Sequence, residues 1–182
     1  MNFFLQSDIE EIIQLAYPEL KYLASQRVLL AGGKGFLGRY FTEIIRQFNK
    51  TANDKIHLVS VDNFAFSTPD SKFDTKNTDI LKFRSGDICD QSFVSSLGNF
   101  DVIINAAGIA SPYYYRARPL ETLDVSVKGS RNLLELAQAN NAKFTFFSSS
   151  EIYGDPVPEK IPMQESYRGN VSTLGPRACY DE

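Results

Sequence analysis

Glycines at positions 32, 35 and 38 follow the apolar run Val28-Leu29-Leu30-Ala31. They open a segment in which Leu37, Phe41, Ile44, Ile45 and Phe48 recur at three- and four-residue steps. A strand, a glycine turn and a helix N-terminus in that order build a pyrophosphate site. Gly32 permits the tight turn, Gly35 lets the backbone approach the phosphates, and Gly38 lets the helix pack close on the strand. Phe36 and Leu37 belong to the first helical turn, whose N–H donors face the anion with the positive end of the helix dipole. The spacing is G-x-x-G-x-x-G, with Gly33 adding flexibility beside it. A glycine triplet alone reads as a turn; its place between strand and helix is what points to a dinucleotide. Asp62 ends the next apolar run, 24 residues past Gly38, near the offset at which an acid accepts from the adenosine ribose hydroxyls. A carboxylate there repels a 2′-phosphate, and Asn63-Phe64-Ala65 brings no cation, so NAD is expected over NADP. Ending a strand and capping a turn is the ligand-free account of the same acid.

Three later stretches belong to the same chemistry. Gly86-Asp87-Ile88 follows a short apolar run, where Asp87 is placed to accept from the adenine amino group and Ile88 to cover the ring; read alone, Gly-Asp is a turn. Ala106-Ala107-Gly108 follows Val102-Ile103-Ile104-Asn105, and small residues there let the backbone pass close to a cofactor or to a packed helix. Ser148-Ser149-Ser150-Glu151-Ile152-Tyr153-Gly154 follows Phe144-Thr145-Phe146-Phe147 and sets hydroxyls and a carboxylate at a strand end, where ligands bind in parallel sheets. A solvated loop with hydroxyls bonded to backbone explains that serine run equally well. His57, the single histidine, falls mid-strand and reads as structural, which argues against a histidine triad or a His-rich metal site.

The elements that must position these residues alternate. Strands are expected over 28–31, 55–62, 80–83, 102–105 and 144–147. Helices are expected after Gly38, briefly after Ile88, and from Pro119 to Asn140 with Leu120, Leu123, Val127, Leu134 and Ala137 along one face. Ahead of them, Ser7 or Asp8 caps a helix carrying Ile9, Ile12, Ile13 and Ala16, stopped near Pro18 and packed on the outside of the domain. Ser67 to Thr78 reads as a polar loop, partly disordered. The alternation implies an α/β fold, a doubly wound parallel sheet of the Rossmann type. With 182 residues, 43% of them hydrophobic, the chain suits one soluble domain. A net charge of -3 gives no reason to expect nucleic acid or an acidic membrane as partner. Cys89 and Cys179 lie far apart and read as idle thiols of a reducing compartment. No run reaches transmembrane length and the N-terminus lacks a basic leader, so the cytoplasm is expected.

Taken together, the blocks Gly32 to Gly38, Val61-Asp62-Asn63, Asn105 to Gly108 and Ser148 to Asp155 resemble the extended short-chain dehydrogenase/reductase family. The likeness is to its branch of NAD-dependent nucleotide-sugar epimerases, dehydratases and decarboxylases. Ala110-Ser111-Pro112-Tyr113-Tyr114-Tyr115, Ser149 to Asp155 and Gly175-Pro176-Arg177-Ala178-Cys179-Tyr180-Asp181-Glu182 bring it nearest to the UDP-glucuronate decarboxylases. The resemblance covers residues 27–182 as an NAD-binding Rossmann domain and leaves 1–26 as a helical extension.

The resemblance implies site roles. Tyr180 matches the catalytic tyrosine that begins the Y-x-x-x-K motif, and Ser149 the residue bonding the substrate hydroxyl. Ser150 and Glu151 match the pair that marks decarboxylases. Ser111, Pro112 and Tyr115 fall where the sugar is contacted. Dehydratases pair Asp with Glu at this strand end and epimerases usually lack the acid, so a 4,6-dehydratase or a 4-epimerase is the alternative. A non-catalytic NAD-binding module is the alternative of another class. Ser126 stands where the family often has a structural asparagine. The chain ends at Glu182, before the motif's lysine, and reads as a domain truncated before the C-terminal substrate-binding part of a longer homodimeric enzyme. In the family that lysine lowers a tyrosine pKa from ~10, so the 182 residues alone are expected to be inactive.

Overall fold

The computed structural model describes residues 5–65 and 76–181. Val28, Leu29, Leu30 and Ala31 are all buried, the signature of a central parallel strand covered on both faces. This strand, β1 (Arg27–Ala31), is followed by α3 (Phe36–Thr51), β2 (His57–Asp62), β3 (Leu81–Ser85), α4 (Gln91–Ser95) and β4 (Val102–Asn105). Ahead of it lie α1 (Gln6–Leu15) and α2 (Tyr17–Leu23). After it come α5 (Pro112–Ala117), α6 (Pro119–Asp124), α7 (Ser130–Asn140), β5 (Lys143–Phe146) and a terminal turn, α8 (Ala178–Asp181). The five strands are parallel in the order β3-β2-β1-β4-β5. The chain reverses direction across the sheet between β1 and β4, so their carboxyl ends flank the crevice where ligands bind in doubly wound folds.

Alternation along β1 divides the core. Val28 and Leu30 pack with Ile44, Ile45 and Phe48 of α3, while Leu29 and Ala31 pack with Ile103, Leu133 and Ala137. The N-terminal helices join the first layer, with Ile9 and Leu20 buried against the same cluster. Their sequence signals differ from expectation. Leu5 is the N-cap of α1 and gives no side-chain hydrogen bond, so neither Ser7 nor Asp8 caps it. Pro18 sits in the first turn of α2 and starts a helix, as its fixed φ and missing N–H favour.

Three further expectations are corrected. Leu37 is 45% exposed, because the first turn of α3 buries Gly38 and Arg39 and leaves the Phe36 and Leu37 side chains outside, while Ile44, Ile45 and Phe48 turn inward further along. His57 begins β2 and is exposed. The segment from Pro119 to Asn140 is helical throughout, but a π turn at Val125–Gly129 joins α6 to α7. The wider turn rotates the downstream residues relative to an unbroken α-helix. Thr122, Gly129, Asn132, Leu133 and Ala137 face inward, whereas Leu120, Leu123, Val127 and Leu134 are exposed. Ser126 lies within this π turn. The loop expected over Ser67 to Thr78 falls outside the described residues up to position 75.

Candidate functional site

The carboxyl ends of β1, β2 and β4 open into one cavity of about 560 Å³. Its walls bring together Gly32, Gly35, Phe36, Asp62, Asn63, Asp87, Ile88, Ala106, Ala107 and Gly108, residues up to 76 positions apart in the chain. Gly32 has φ +81°, and a Cβ on it would sit 2.5 Å from the Ala106 carbonyl oxygen. Both facts require glycine there. Gly38 lies outside the cavity lining and packs under the loop, where a Cβ would come 2.7 Å from Gly33 Cα. Leu37 is likewise outside the lining. Helix α3 starts from Gly35 with no side-chain cap, and a helix N-terminus attracts an anion. Nothing lies within 4 Å of a Cβ built on Gly108, so that position borders open space. Cradle, uncapped helix end and acid fit a dinucleotide.

The turn-capping account of Asp62 is the one its hydrogen bonds realise. Its Oδ1 accepts from the Phe64 N–H at 2.8 Å, an Asx turn, and its Oδ2 accepts from the Lys34 N–H at 2.8 Å across the glycine loop. Each oxygen keeps a second lone pair for a ribose hydroxyl. Asp87 accepts from the Cys89 N–H at 2.8 Å and from the Asn63 amide at 3.3 Å, so one carboxylate links the turns after β2 and β3. Buried Asn105 donates to Ser130 at 3.0 Å and accepts from the Ala107 N–H at 3.2 Å, which shapes the turn after β4. Asn132 donates to the Ile88 carbonyl at 2.8 Å and holds α7 against the turn after β3.

Sequence reasoning passed over several lining groups. Lys34 within the glycine turn, Arg39 and Cys89 just past their motifs, and Arg118, Glu121 and Asp124 from a segment with no motif also line the cavity. Burial, then the Asp87 carboxylate, pushes the Cys89 thiol up to about 12 from 9.0, with Asp124 adding to the rise and Lys128 opposing it. It stays a protonated thiol at neutral pH and is a poor nucleophile.

A second cluster forms at the end of β5, outside the cavity lining. Ser149 is the N-cap of a short 3₁₀ turn, Ser150–Tyr153, and its Oγ accepts from the Glu151 N–H at 3.3 Å. Here the hydroxyl-to-backbone account of the serine run is realised. Glu151 pairs with Arg177, and the same guanidinium lies 3.5 Å from Asp181. Arg177 immediately precedes α8, so this contact draws the strand end to the turn that carries Tyr180. The Tyr180 ring stacks on Tyr115, centroids 5.2 Å apart and planes at 20°. Tyr115 is 4% exposed, and the Cys179 thiol donates to its carbonyl at 3.6 Å. Ser111 is the N-cap of α5 and Pro112 occupies its first turn. Glu151, Arg177, Tyr180 and Tyr115 thus form one linked group, with Ser149 at its edge. Among the described residues no group of His, Cys, Asp and Glu is arranged to hold a metal, and no helix is long and apolar enough to cross a membrane.

Residues 28–182 match the model of the NAD dependent epimerase/dehydratase family. UDP-glucuronic acid decarboxylase 6 of Arabidopsis thaliana is 32% identical over 161 residues, covering 88% of this chain and 44% of that protein. UDP-glucuronic acid decarboxylase 1 of Xenopus tropicalis is 32% identical over 178 residues, covering 96% and 39%. The chain therefore spans about two fifths of the length of the curated relatives it matches. Among solved structures, an epimerase of Methanothermobacter thermautotrophicus superposes with a TM-score of 0.73 at 20% identity, over 93% of this chain and 48% of that one. UDP-glucose 4-epimerase of Bifidobacterium longum, solved with NAD+ and UDP, gives 0.60 at 27% identity, over 79% and 42%.

Proposed function

The chain belongs to the NAD-dependent epimerase/dehydratase family, and from that premise we propose that it is the NAD-binding part of a nucleotide-sugar decarboxylase acting on UDP-glucuronate. Residues 1–26 form a helical extension in this reading and 27–182 the NAD-binding unit. The observation that carries it is the Glu151–Arg177 contact, which sets the carboxylate of the decarboxylase-type pair beside the turn bearing Tyr180. The likeness to two UDP-glucuronic acid decarboxylases supports the same choice.

The roles follow from position. Tyr180 Oη takes the proton of the sugar 4-hydroxyl, which Ser149 orients. When bound, NAD takes up the C4 hydride and later returns it, so no net redox change results. The resulting 4-ketone lies beta to the carboxylate and accepts the electron pair released as carbon dioxide leaves. Ser150 and Glu151 organise that carboxylate end; Ser111, Pro112 and Tyr115 flank the sugar, with the buried Tyr115 ring acting through its stack on Tyr180. Asp62 holds the adenosine ribose, and the α3 N-terminus the pyrophosphate. The enzyme works in the cytoplasm as a homodimer, with neither nucleic acid nor membrane as partner.

The test incubates the protein carrying this chain with NAD and either UDP-glucuronate or UDP-glucose, and follows the sugar by NMR. Carbon dioxide and a UDP-pentose are expected from UDP-glucuronate. Inversion of UDP-glucose at C4 without decarboxylation would establish the epimerase alternative, which the UDP-glucose 4-epimerase likeness favours. NAD binding with neither conversion would establish a non-catalytic module. Glu151→Gln should slow the decarboxylase ~10²–10⁴-fold with NAD binding intact, and Tyr180→Phe should form no NADH in a single turnover.

A further inference from the structure

Arg39 is a buried charge, 6% exposed, on the first turn of α3, and it lines the dinucleotide cavity. Its Nε donates to the Lys34 carbonyl at 2.9 Å. The N–H of the same residue donates to Asp62 Oδ2 at 2.8 Å. Lys34 is therefore gripped at both ends, by the acid after β2 and by a cation on α3, and it lies between Gly33 and Gly35 in the centre of the glycine loop. The other loop donors are spent internally: the Gly32 and Gly33 N–H groups both donate to the Val61 carbonyl, at 2.9 and 3.0 Å, and the Gly35 N–H to the Gly32 carbonyl at 3.1 Å. The loop is thus tied shut upon itself and upon its neighbours before any ligand arrives, which lowers the ordering cost of binding.

We infer that Arg39 is a positioning residue of the cofactor site. It holds the Lys34 carbonyl, so that the loop presents the α3 N-terminus squarely, and it sets a desolvated positive charge in the wall that receives the diphosphate. The inference rests on the NAD reading above. A buried guanidinium hydrogen-bonded to a carbonyl is a strong bond held in low dielectric. Its charge acts only on ligands that carry phosphate. A purely structural arginine would affect phosphate-free and phosphate-bearing ligands alike.

The experiment uses this chain itself, with wild type, Arg39→Met and Arg39→Lys titrated with NAD, ADP-ribose and adenosine by NMR and calorimetry. Arg39→Met should weaken NAD and ADP-ribose roughly ten- to hundredfold, the loss expected for a hydrogen bond made by a charged group. Adenosine should change less than about threefold, and Arg39→Lys should recover part of the loss because the charge remains. Raising the salt concentration should narrow the gap between wild type and Arg39→Met. Unchanged NAD affinity in Arg39→Met, or an equal loss for adenosine, overturns the inference while wild-type NAD binding keeps the cofactor reading intact. If wild type itself binds neither NAD nor ADP-ribose, both fall. Should Arg39→Met fail to fold, Arg39→Lys decides: a partial loss for NAD and ADP-ribose with adenosine held within about threefold supports the inference, and wild-type affinities or an equal loss for all three ligands refute it.

Discussion

Replacing Asp62 by Ala removes the acceptor of two backbone N–H groups and, on the proposed reading, the anchor of the adenosine ribose. The Lys34 N–H is partly buried and the Phe64 N–H is exposed, both bonded at 2.8 Å. Water replaces the second bond readily; the first leaves a donor stranded inside the glycine loop. An unsatisfied partly buried donor that has lost a charged acceptor costs about 1.5–3 kcal/mol. For a chain of this size each kcal/mol lowers Tm by ~2–4 °C, so a fall of roughly 3–12 °C is expected without any ligand. Loss of the charged hydrogen bonds to ribose should weaken NAD by a further factor of roughly ten to a hundred. Circular dichroism melts give the first quantity and calorimetric titration the second, and wild type titrated with NADP gives the selectivity. Asp62→Asn keeps one acceptor oxygen and should lie between wild type and Ala in both. A wild type that binds NAD and NADP equally refutes the ribose assignment. An unchanged Tm in Asp62→Ala refutes the account of the carboxylate as a strut of the loop.

Two further substitutions separate packing from access. Gly38→Ala drives a Cβ into the backbone of Gly32 and Gly33 and should cost ~1–3 kcal/mol, read as a lower Tm; a Tm equal to wild type would show that the loop relaxes freely. Gly108→Ala, with open space around the new methyl, should leave stability within ~0.5 kcal/mol while weakening NAD, and unaltered affinity would place the cofactor elsewhere. Cys89 should resist alkylation at pH 8 and be shielded further by NAD. Its raised pKa, about 12 against 9.0, favours the protonated fold: the contribution to stability is full below pH 9 and is lost as pH rises towards 12. The difference in stability between wild type and Cys89→Ala, measured by denaturant titration, should therefore narrow over that window; a pH-independent difference would refute the burial account.

Short-range pattern was enough for the sheet and for half of the cavity. Strand ends β1, β2 and β4 carry their cavity-lining residues within a few positions of an apolar run, so Gly32, Asp62 and Ala106 to Gly108 were legible wherever a strand was legible. Parallel strands in a doubly wound sheet all deliver their carboxyl ends to one edge, and that geometry turns separate motifs into one site. The buried face of Pro119 to Asn140 was not legible, because a π turn is a backbone event that changes the phase of every residue after it. Past that shift, Leu134 points to solvent and Leu133 to the sheet. Arg39 and Lys34 likewise carry no signal in one dimension: their meaning is a bond from α3 back to the loop, and another from the loop across to β2. Glu151 and Arg177 lie in separate blocks of sequence, and only the fold brings them into contact. Residue types and spacing therefore determined which chemistry the chain can host, since strands and glycine turns are encoded locally. Tertiary structure decided which charges meet, because contacts between distant segments depend on how each element is rotated and where its neighbour lies.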